Sequence, residues 1–393
     1  MHMTVVITTF GSLQQHKDER RRTNTKCIKM DNMNCDVHWN MSAFDRNNYL
    51  YKDWQNSVIL IVIPMLLIFG LTTNSCFIFM VYRVPDMRIT VNIHLVSLAV
   101  ADSLCLTLSV ADQLFRFAIS DLEGNLANVG TSGCILIPLL VNTALMSSEL
   151  HILLLAIANY HSVCVPLAAH INPHRRAVRL LTATWLVSAS IAISFIPAFA
   201  NYELRCIWWN STYVETYGAC MSVVYTTDHS IDATYIYFNL TQTFAFFTSV
   251  IASNILYVMI LRHLRQVNKS VDNHGMAHTS QRKNKLIRQH FNRMLFFNGI
   301  VYFILLAPFN ICSLFRFVSN ITGTKLVQPN IEAILDTTFR LLGYVNSCIN
   351  PIVYGATNPR YRKAFKIAFS STRKLDDHKN GSELECNSRR PTL

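Results

Sequence analysis

Four polar residues stand within three apolar segments of this 393-residue chain, where a charged group is costly. Asp102 lies in the middle of "VSLAVADSLCL", and Ser148, Asn346 and Asn350 interrupt two other apolar runs. One carboxylate with several neutral oxygens suits a hard, weakly bound cation. The alternative is a network of hydrogen bonds that only joins helices. In either case the four residues are expected to form one polar pocket.

A second group of charges lies towards the ends of apolar segments: Asp112, Arg316, Asp336 and Arg340. Asp336 and Arg340 are four residues apart, so in a helix they share a face and are able to pair with each other. The alternative is that these residues line an outward-facing cavity with charge of both signs. Such a cavity would suit a zwitterionic or peptide ligand.

Enzymatic chemistry is not indicated by the residue pattern. The chain has no His/Glu spacing typical of a metalloenzyme and no nucleophile motif, so we expect no catalytic residues and no metal cofactor other than a structural sodium ion at Asp102. The formal charge of +12 is gathered between the apolar segments instead of covering a soluble face, so no nucleic-acid partner is expected.

The elements that must position these residues are long apolar helices. Apolar residues make up 51% of the chain and charged residues only 15%. Segments of roughly 20 residues or more, enough to cross a bilayer, lie at 58–82, 91–117, 134–160, 178–200, 233–261, 293–317 and 331–354. The sequence predicts an all-α membrane protein: a tail (1–57), a seven-transmembrane helix bundle (58–354) and a cytoplasmic tail (355–393).

Orientation follows from the connecting segments. Arginine and lysine cluster after the first, third, fifth and seventh segments, whereas the other connections are acidic. The positive-inside rule therefore places the N-terminus outside. Three N-glycosylation sequons lie on this outer side, at Asn40, Asn210 and Asn320.

Five cysteines lie on the predicted outer side: Cys27, Cys35, Cys134, Cys206 and Cys220. An odd number cannot all pair within one chain. The last two flank "IWWNSTYVETYGA", whose aromatic and β-branched arms around an Asn-Ser turn predict a β-hairpin. A bridge from Cys134 to either flank would tie this hairpin over the mouth of the bundle.

Prolines occur inside the predicted sixth and seventh helices, where they serve as natural hinges. Pro308 lies in the sixth, and "NPIVY" at 350–354 combines Pro351 with an inward asparagine and a tyrosine one turn later. The run "NPRYRKAFKIAF" then predicts a short amphipathic helix whose basic face suits the anionic inner leaflet.

Over about residues 55–370 the chain resembles the rhodopsin-like (class A) G-protein-coupled receptors. The resemblance rests on an ordered set of motifs: "GLTTN", "LAVAD", Cys134, Trp185, Tyr257, Pro308 and "NPIVY". It implies a plasma-membrane receptor with an outer ligand pocket and an inner face that admits a heterotrimeric G protein when the sixth helix swings outward.

The resemblance also implies specific site residues. Cys134 would pair with Cys220, whose spacing fits the family better than that of Cys206. Asp102, Ser148, Asn346 and Asn350 match the family's sodium pocket, although Ala144 replaces another usual ligand of that pocket.

Departures from the family concern its switch residues. Ala158-Asn159-Tyr160 replaces the usual Asp-Arg-Tyr, and "RQHFNRM" at 288–294 has no carboxylate, so both halves of an ionic latch are missing. We expect weak G-protein coupling through hinges at Pro308 and Pro351, with Tyr160, Tyr257 and Tyr354 supplying hydrogen bonds. Glu149 and Tyr302 occupy positions that are usually small or apolar, and a hydrogen bond between them would satisfy the acid.

The ligand class follows from the same comparison. Val141 stands where amine receptors place an aspartate, so an aminergic ligand is not expected. The predicted lid and the mixed charges resemble neuropeptide receptors more closely. A decoy or scaffolding receptor that binds ligand without activating a G protein is the alternative.

Overall fold

Seven long helices and a short eighth one form the protein in the computed structural model, which describes residues 35–41, 49–165, 173–209, 213–221, 233–273, 279–322 and 329–370. The helices are α1 (Asp53–Arg83), α2 (Thr90–Ile119), α3 (Gly130–Cys164), α4 (Pro173–Ser194), α5 (Ala233–Asn273), α6 (Thr279–Thr322), α7 (Pro329–Thr357) and α8 (Pro359–Ala368). Helix α3 lies at the centre and packs against α2, α4 and α5, while α1 packs against α2 and α7.

The predicted membrane bundle is confirmed. Within the described residues, α1 to α6 are each long and apolar enough to cross a membrane. Helix α7 spans 29 residues, so it is also long enough, but charged and amide residues lower its hydropathy. Large apolar side chains cover the outer surface of the bundle, such as Leu186 and Phe244, which are 64% and 73% exposed. Such a surface is suited to lipid rather than water.

Helix boundaries differ from the sequence prediction mainly on the basic side. Helix α5 ends at Asn273 and α6 begins at Thr279, so most of the basic stretch predicted as a connection is helical. The 41 residues of α5 correspond to about 60 Å at 1.5 Å per residue, roughly twice the thickness of the hydrocarbon layer. Hydropathy detects only the part of a helix inside the membrane, which explains the difference.

Helix α8 is held against the bundle by its aromatic residue Tyr361. This side chain is buried, its hydroxyl donates to Asn92 of α2, and its ring lies 5.9 Å from Tyr354 of α7. Phe77 of α1 lies 5.3 Å from the same Tyr354 ring. Asn358 starts the helix by accepting a hydrogen bond from the Arg360 amide at 3.0 Å. The predicted amphipathic helix is therefore present and docked.

A three-stranded sheet stands at the opposite end of the bundle. Strands β2 (Asn201–Trp209) and β3 (Tyr213–Met221) pair antiparallel, which confirms the predicted hairpin. The sheet is completed by β1 (Val37–Met41), which pairs parallel with β2 and was not predicted. Asn40 lies on β1 with an exposed side chain, whereas Asn210 and the Asn320 side chain lie outside the described residues.

A disulfide connects this sheet to the N-terminal tail. Cys35 is bonded to Cys206 across 171 residues of sequence, which attaches the N-terminal tail to the hairpin. Closing a loop of that size removes unfolded-chain entropy worth about 5 kcal/mol. Cys134 is also disulfide-bonded, and Cys206 is already occupied. The Cys220 side chain lies outside the described residues, so the Cys134–Cys220 pairing stays a prediction.

The hairpin contacts the α2–α3 loop through Gly218. The Gly218 carbonyl accepts from the Leu126 amide at 2.9 Å, and its amide donates to the Asn125 side chain at 2.9 Å. A Cβ atom at residue 218 would lie 2.5 Å from the Ala127 backbone nitrogen. Only glycine permits this approach between the two backbones.

Replacing Gly218 by alanine is expected to displace the hairpin from the loop, because a backbone atom cannot move aside as a flexible side chain can. The cost should be about 1–3 kcal/mol, measured as a lower thermal unfolding midpoint of the purified protein in detergent. Gly343→Ala is the matched control, since a Cβ there meets nothing within 4 Å. Equal midpoints for the two variants would show that the close approach does not matter.

Candidate functional site

Three of the four predicted pocket residues meet at Asp102 in the centre of the bundle. Ser148 of α3 donates to one carboxylate oxygen at 2.7 Å, and Asn350 of α7 donates to the other at 2.7 Å. Asp102 is fully buried. Two donors do not exhaust the acceptor capacity of a carboxylate, so its oxygens retain lone pairs for a further donor or cation.

Asn346 supplies a further acceptor in the bundle core. Its side chain is buried and its amide oxygen has no hydrogen-bond partner among the described residues. The side-chain oxygen of Asn74 in α1 also has no hydrogen-bond partner among the described residues. The side-chain nitrogen of Asn74 donates to the Ser347 carbonyl at 2.8 Å. Carboxylate, hydroxyl and amide oxygens are the ligands a hard cation prefers. The residues present therefore fit a sodium ion.

Glu149 and Tyr302 are buried near this pocket but do not satisfy each other. The Glu149 Oε2 atom and the Tyr302 hydroxyl both lack a hydrogen-bond partner within the described part of the chain. The hydrogen bond expected between them does not form in this structure. Tyr302 instead packs its ring against Phe246 at 5.5 Å.

At the end of the bundle nearest the sheet, Asp112 and Arg340 contact residues other than those expected from the sequence. Asp112 pairs with Arg116 one turn along α2, with an N–O distance of 2.8 Å. Arg340 of α7 is exposed and donates to the Gln113 side chain of α2. No ion pair joins Asp336 to Arg340, both of which the structure describes. Arg340 therefore keeps its positive charge beside a neutral amide.

Groups from α1 and from the loop before α3 surround these charges. Gln55 of α1 donates to the Glu123 carboxylate at 2.8 Å. Tyr51 is buried beside them, within electrostatic range of Arg116 and Arg340. Burial raises the pKa of Tyr51 to about 12, so its hydroxyl stays neutral at physiological pH. Arg316 lies in α6, and its side chain is outside the described residues.

The opposite end of the bundle is joined by a pair of asparagines. The Asn159 side-chain nitrogen of α3 donates to the Asn292 oxygen of α6 at 2.6 Å, and both residues are buried. The sequence predicted that an ionic latch is missing here. It did not reveal that two amides form a neutral contact in its place, because one asparagine among "RQHFNRM" gives no signal of its partner.

The tyrosines expected to form hydrogen bonds at this end serve mainly as packing residues. Tyr257 and Tyr354 are buried in one apolar cluster, and Tyr160 packs against its edge. The Tyr354 hydroxyl has no hydrogen-bond partner among the described residues. Pro308 and Pro351 both lie inside helices, as predicted.

The sequence reasoning missed a partly buried network of polar side chains around His151. Ser97 of α2 lies 2.7 Å from the His151 Nε2 atom of α3 and accepts from the Trp185 ring nitrogen of α4 at 3.1 Å. These three polar groups join three helices. The available signals were a histidine inside the predicted third span and Trp185 among the family motifs, and neither could identify its partners.

The chain is similar to known receptors along most of its length. Residues 73–354 match the family model described as "7 transmembrane receptor (rhodopsin family)". A QRFP-like peptide receptor of Branchiostoma floridae is 22% identical over 312 residues, covering 79% of this chain and 76% of the relative. The Homo sapiens neuromedin-U receptor 2 is 24% identical over 325 residues, with 81% and 72% covered. The Cavia porcellus neuropeptide Y receptor type 2 is 25% identical over 324 residues, with 81% and 78% covered.

Replacing Asn292 by leucine should open the end of the bundle where α3 meets α6. A lost buried hydrogen bond weakens the closed arrangement by about 1 kcal/mol, which raises the ratio of open to closed molecules about fivefold. Spin labels on the ends of α3 and α6 would report this as a larger long-distance population. Ser162→Ala, an exposed change on α3, is the control. An unchanged distance distribution in the leucine variant would exclude a latch.

Proposed function

Because this chain belongs to the rhodopsin family of seven-transmembrane receptors, we propose that it senses an extracellular peptide and signals to a heterotrimeric G protein. It is then a multi-pass protein of the plasma membrane with its N-terminus outside. The sheet and the outer cluster, which consists of Asp112, Gln113, Arg116 and Arg340, form the outer end. The Asn159–Asn292 contact lies at the inner end. The basic connections on the inner side support this orientation.

The observation that carries the ligand assignment is the environment of Arg340. Arg116 is neutralised by Asp112, and Arg205 of the sheet by Glu203 at 2.5 Å. The guanidinium of Arg340, by contrast, is exposed and meets a neutral amide, Gln113. An exposed guanidinium in this position suits a carboxylate or another anionic group of the ligand.

The lid supports a peptide rather than a small apolar ligand. The sheet has three strands, Arg205 lies 4.2 Å from the Trp39 ring centre, and the Cys35–Cys206 disulfide attaches the sheet to the tail. The named relatives are receptors for QRFP-like peptides, neuromedin U and neuropeptide Y. Extended backbone with half-buried aromatic and charged groups is a feature that peptides recognise.

Signalling would require the inner end to open. A buried hydrogen bond between neutral amides is weaker than one between charged partners, so the Asn159–Asn292 contact holds the closed form less firmly than an ionic latch. Once open, Asn159 offers a short neutral side chain in place of the family's arginine. We therefore propose that the inner face opens readily but couples weakly to its G protein.

A sodium ion is proposed at Asp102, with Ser148, Asn346 and Asn350 as the other candidate ligands. It would neutralise the buried carboxylate and favour the arrangement in which α2, α3 and α7 meet. Ala144 is buried on the same helix as Ser148 and provides no ligand. The affinity should therefore be modest.

Replacing Arg340 by glutamine should weaken peptide binding by more than about tenfold, or 1.4 kcal/mol, because the ligand's anionic group loses its partner. Neuromedin U, neuropeptide Y and QRFP peptides are the first probes, followed by a library of acidic and amidated peptides. Binding to cells and ligand-stimulated nucleotide exchange are both measured. Arg340→Lys should retain part of the affinity, since it keeps the charge but loses the paired donors.

Arg362→Gln, an exposed change on α8, should leave peptide affinity unaltered and serves as the control. If Arg340→Gln lowers surface expression while the remaining receptors bind normally, Arg340 is structural. Binding without nucleotide exchange in the unaltered receptor would favour the decoy alternative.

Sodium should raise the thermal unfolding midpoint of the purified, ligand-free protein. At a concentration ten times its dissociation constant, a bound ion stabilises the folded state by about 1.4 kcal/mol. The comparison is between sodium chloride and choline chloride at equal ionic strength. Asp102→Asn should lose the difference, and Asp112→Asn should keep it. An equal sodium effect in both variants would exclude Asp102 as the site.

A further inference from the structure

A groove between α5 and α6 lies at the end of the bundle that carries the basic residues. Its volume is 350 Å³, and it is lined by Leu261, Leu264, Arg265, Gln289, His290, Arg293 and Phe296. Helices α5 and α6 pack side by side here. None of these residues belongs to the outer cluster, the Asp102 pocket or the asparagine pair.

The polar side of the groove is positive. Arg265 and Arg293 are both exposed, and neither forms an ion pair with any residue that the structure describes. The sequence explains why, since residues 233–331 contain a single carboxylate, Asp272. Eight arginines and lysines lie between 262 and 293. A groove with so few local counter-ions attracts anions from outside the protein.

The other side of the groove is apolar. Leu264 is buried, at 7% exposure, and Leu261 and Phe296 are half-buried beside it. Nearby on the same two helices, Met259 and Phe297 are 42% and 43% exposed, as expected of side chains that face lipid. The groove thus lies where the lipid-facing surface of α5 and α6 meets their basic extensions.

An apolar floor beside two unpaired guanidinium groups matches a molecule with a charged head and a hydrocarbon chain. A phosphate would accept hydrogen bonds from Arg265 and Arg293, with His290 at the rim. The first part of an acyl chain would cover Leu261 and Phe296. A soluble anion would leave that apolar surface uncovered.

We propose that this groove binds the headgroup of an anionic phospholipid of the inner leaflet, preferably one that carries phosphate monoesters. The assignment to the inner leaflet rests on the orientation proposed above, whereas binding itself requires neither a peptide ligand nor a G protein. A lipid in this place would bridge α5 and α6 and so influence the movement of α6.

The experiment uses the purified full-length chain in nanodiscs of phosphatidylcholine with a fluorescent phosphatidylinositol 4,5-bisphosphate probe. The Arg265→Gln/Arg293→Gln variant should bind the probe about tenfold more weakly, because two charge-assisted contacts are lost. Arg175→Gln/Arg179→Gln is the matched control. It removes the same charge from two exposed residues of α4, and it should lose less than about threefold.

A second variant tests the shape of the groove without changing its charge. Leu261→Trp fills the apolar floor and should also weaken probe binding, with lipid stoichiometry counted by native mass spectrometry. Equal losses in the two double variants would show attraction to basic surface in general and would overturn the proposal. The proposal would also be overturned if soluble inositol trisphosphate displaced the probe with the same affinity as the lipid. The acyl chain of the lipid would then contribute nothing to binding.

Discussion

The buried carboxylate of Asp102 is the group on which the arrangement of the bundle depends. A charged or strongly polar group in the middle of a membrane must find its partners inside the protein. Asp102 finds them on two other helices, through Ser148 of α3 and Asn350 of α7. These two hydrogen bonds determine which faces of α2, α3 and α7 meet, and hence where Gln113, Arg340 and Asn159 lie at the two ends.

The two ends of the bundle are held in different ways. The end that carries the sheet has a covalent link, the Cys35–Cys206 bond, and backbone contacts at Gly218. At the end that carries α8, a hydrogen bond between neutral amides joins α3 to α6. Under the proposed function, binding energy at the sheet end would be transmitted to an opposite end that needs little energy to open. Such a division suits a receptor whose lid is rigid and whose inner face moves.

Charge has a separate role at each level of the bundle. Opposite charges near the sheet largely neutralise each other, as in Asp112–Arg116 and Glu203–Arg205, so that Arg340 stands out beside its amide partner. At the end that carries α8 most charged residues are arginine and lysine, and the proposed orientation would place them against the anionic inner leaflet. The ends thus differ in the kind of molecule they attract.

The sequence by itself determined the features that depend on local pattern: seven apolar helices, the hairpin, the amphipathic α8, and the polar residues Asp102, Ser148 and Asn350. Each is visible because hydrophobic periodicity, turn residues and the cost of burying charge act over short stretches. The tertiary structure alone decided the contacts between distant residues. Asn159 meets Asn292 across 133 positions, Cys35 meets Cys206 across 171, and Asp112 pairs along α2 while Arg340 turns to Gln113. The type of a side chain determines which kinds of partner can satisfy it. Which of several suitable partners it contacts depends on how the helices pack.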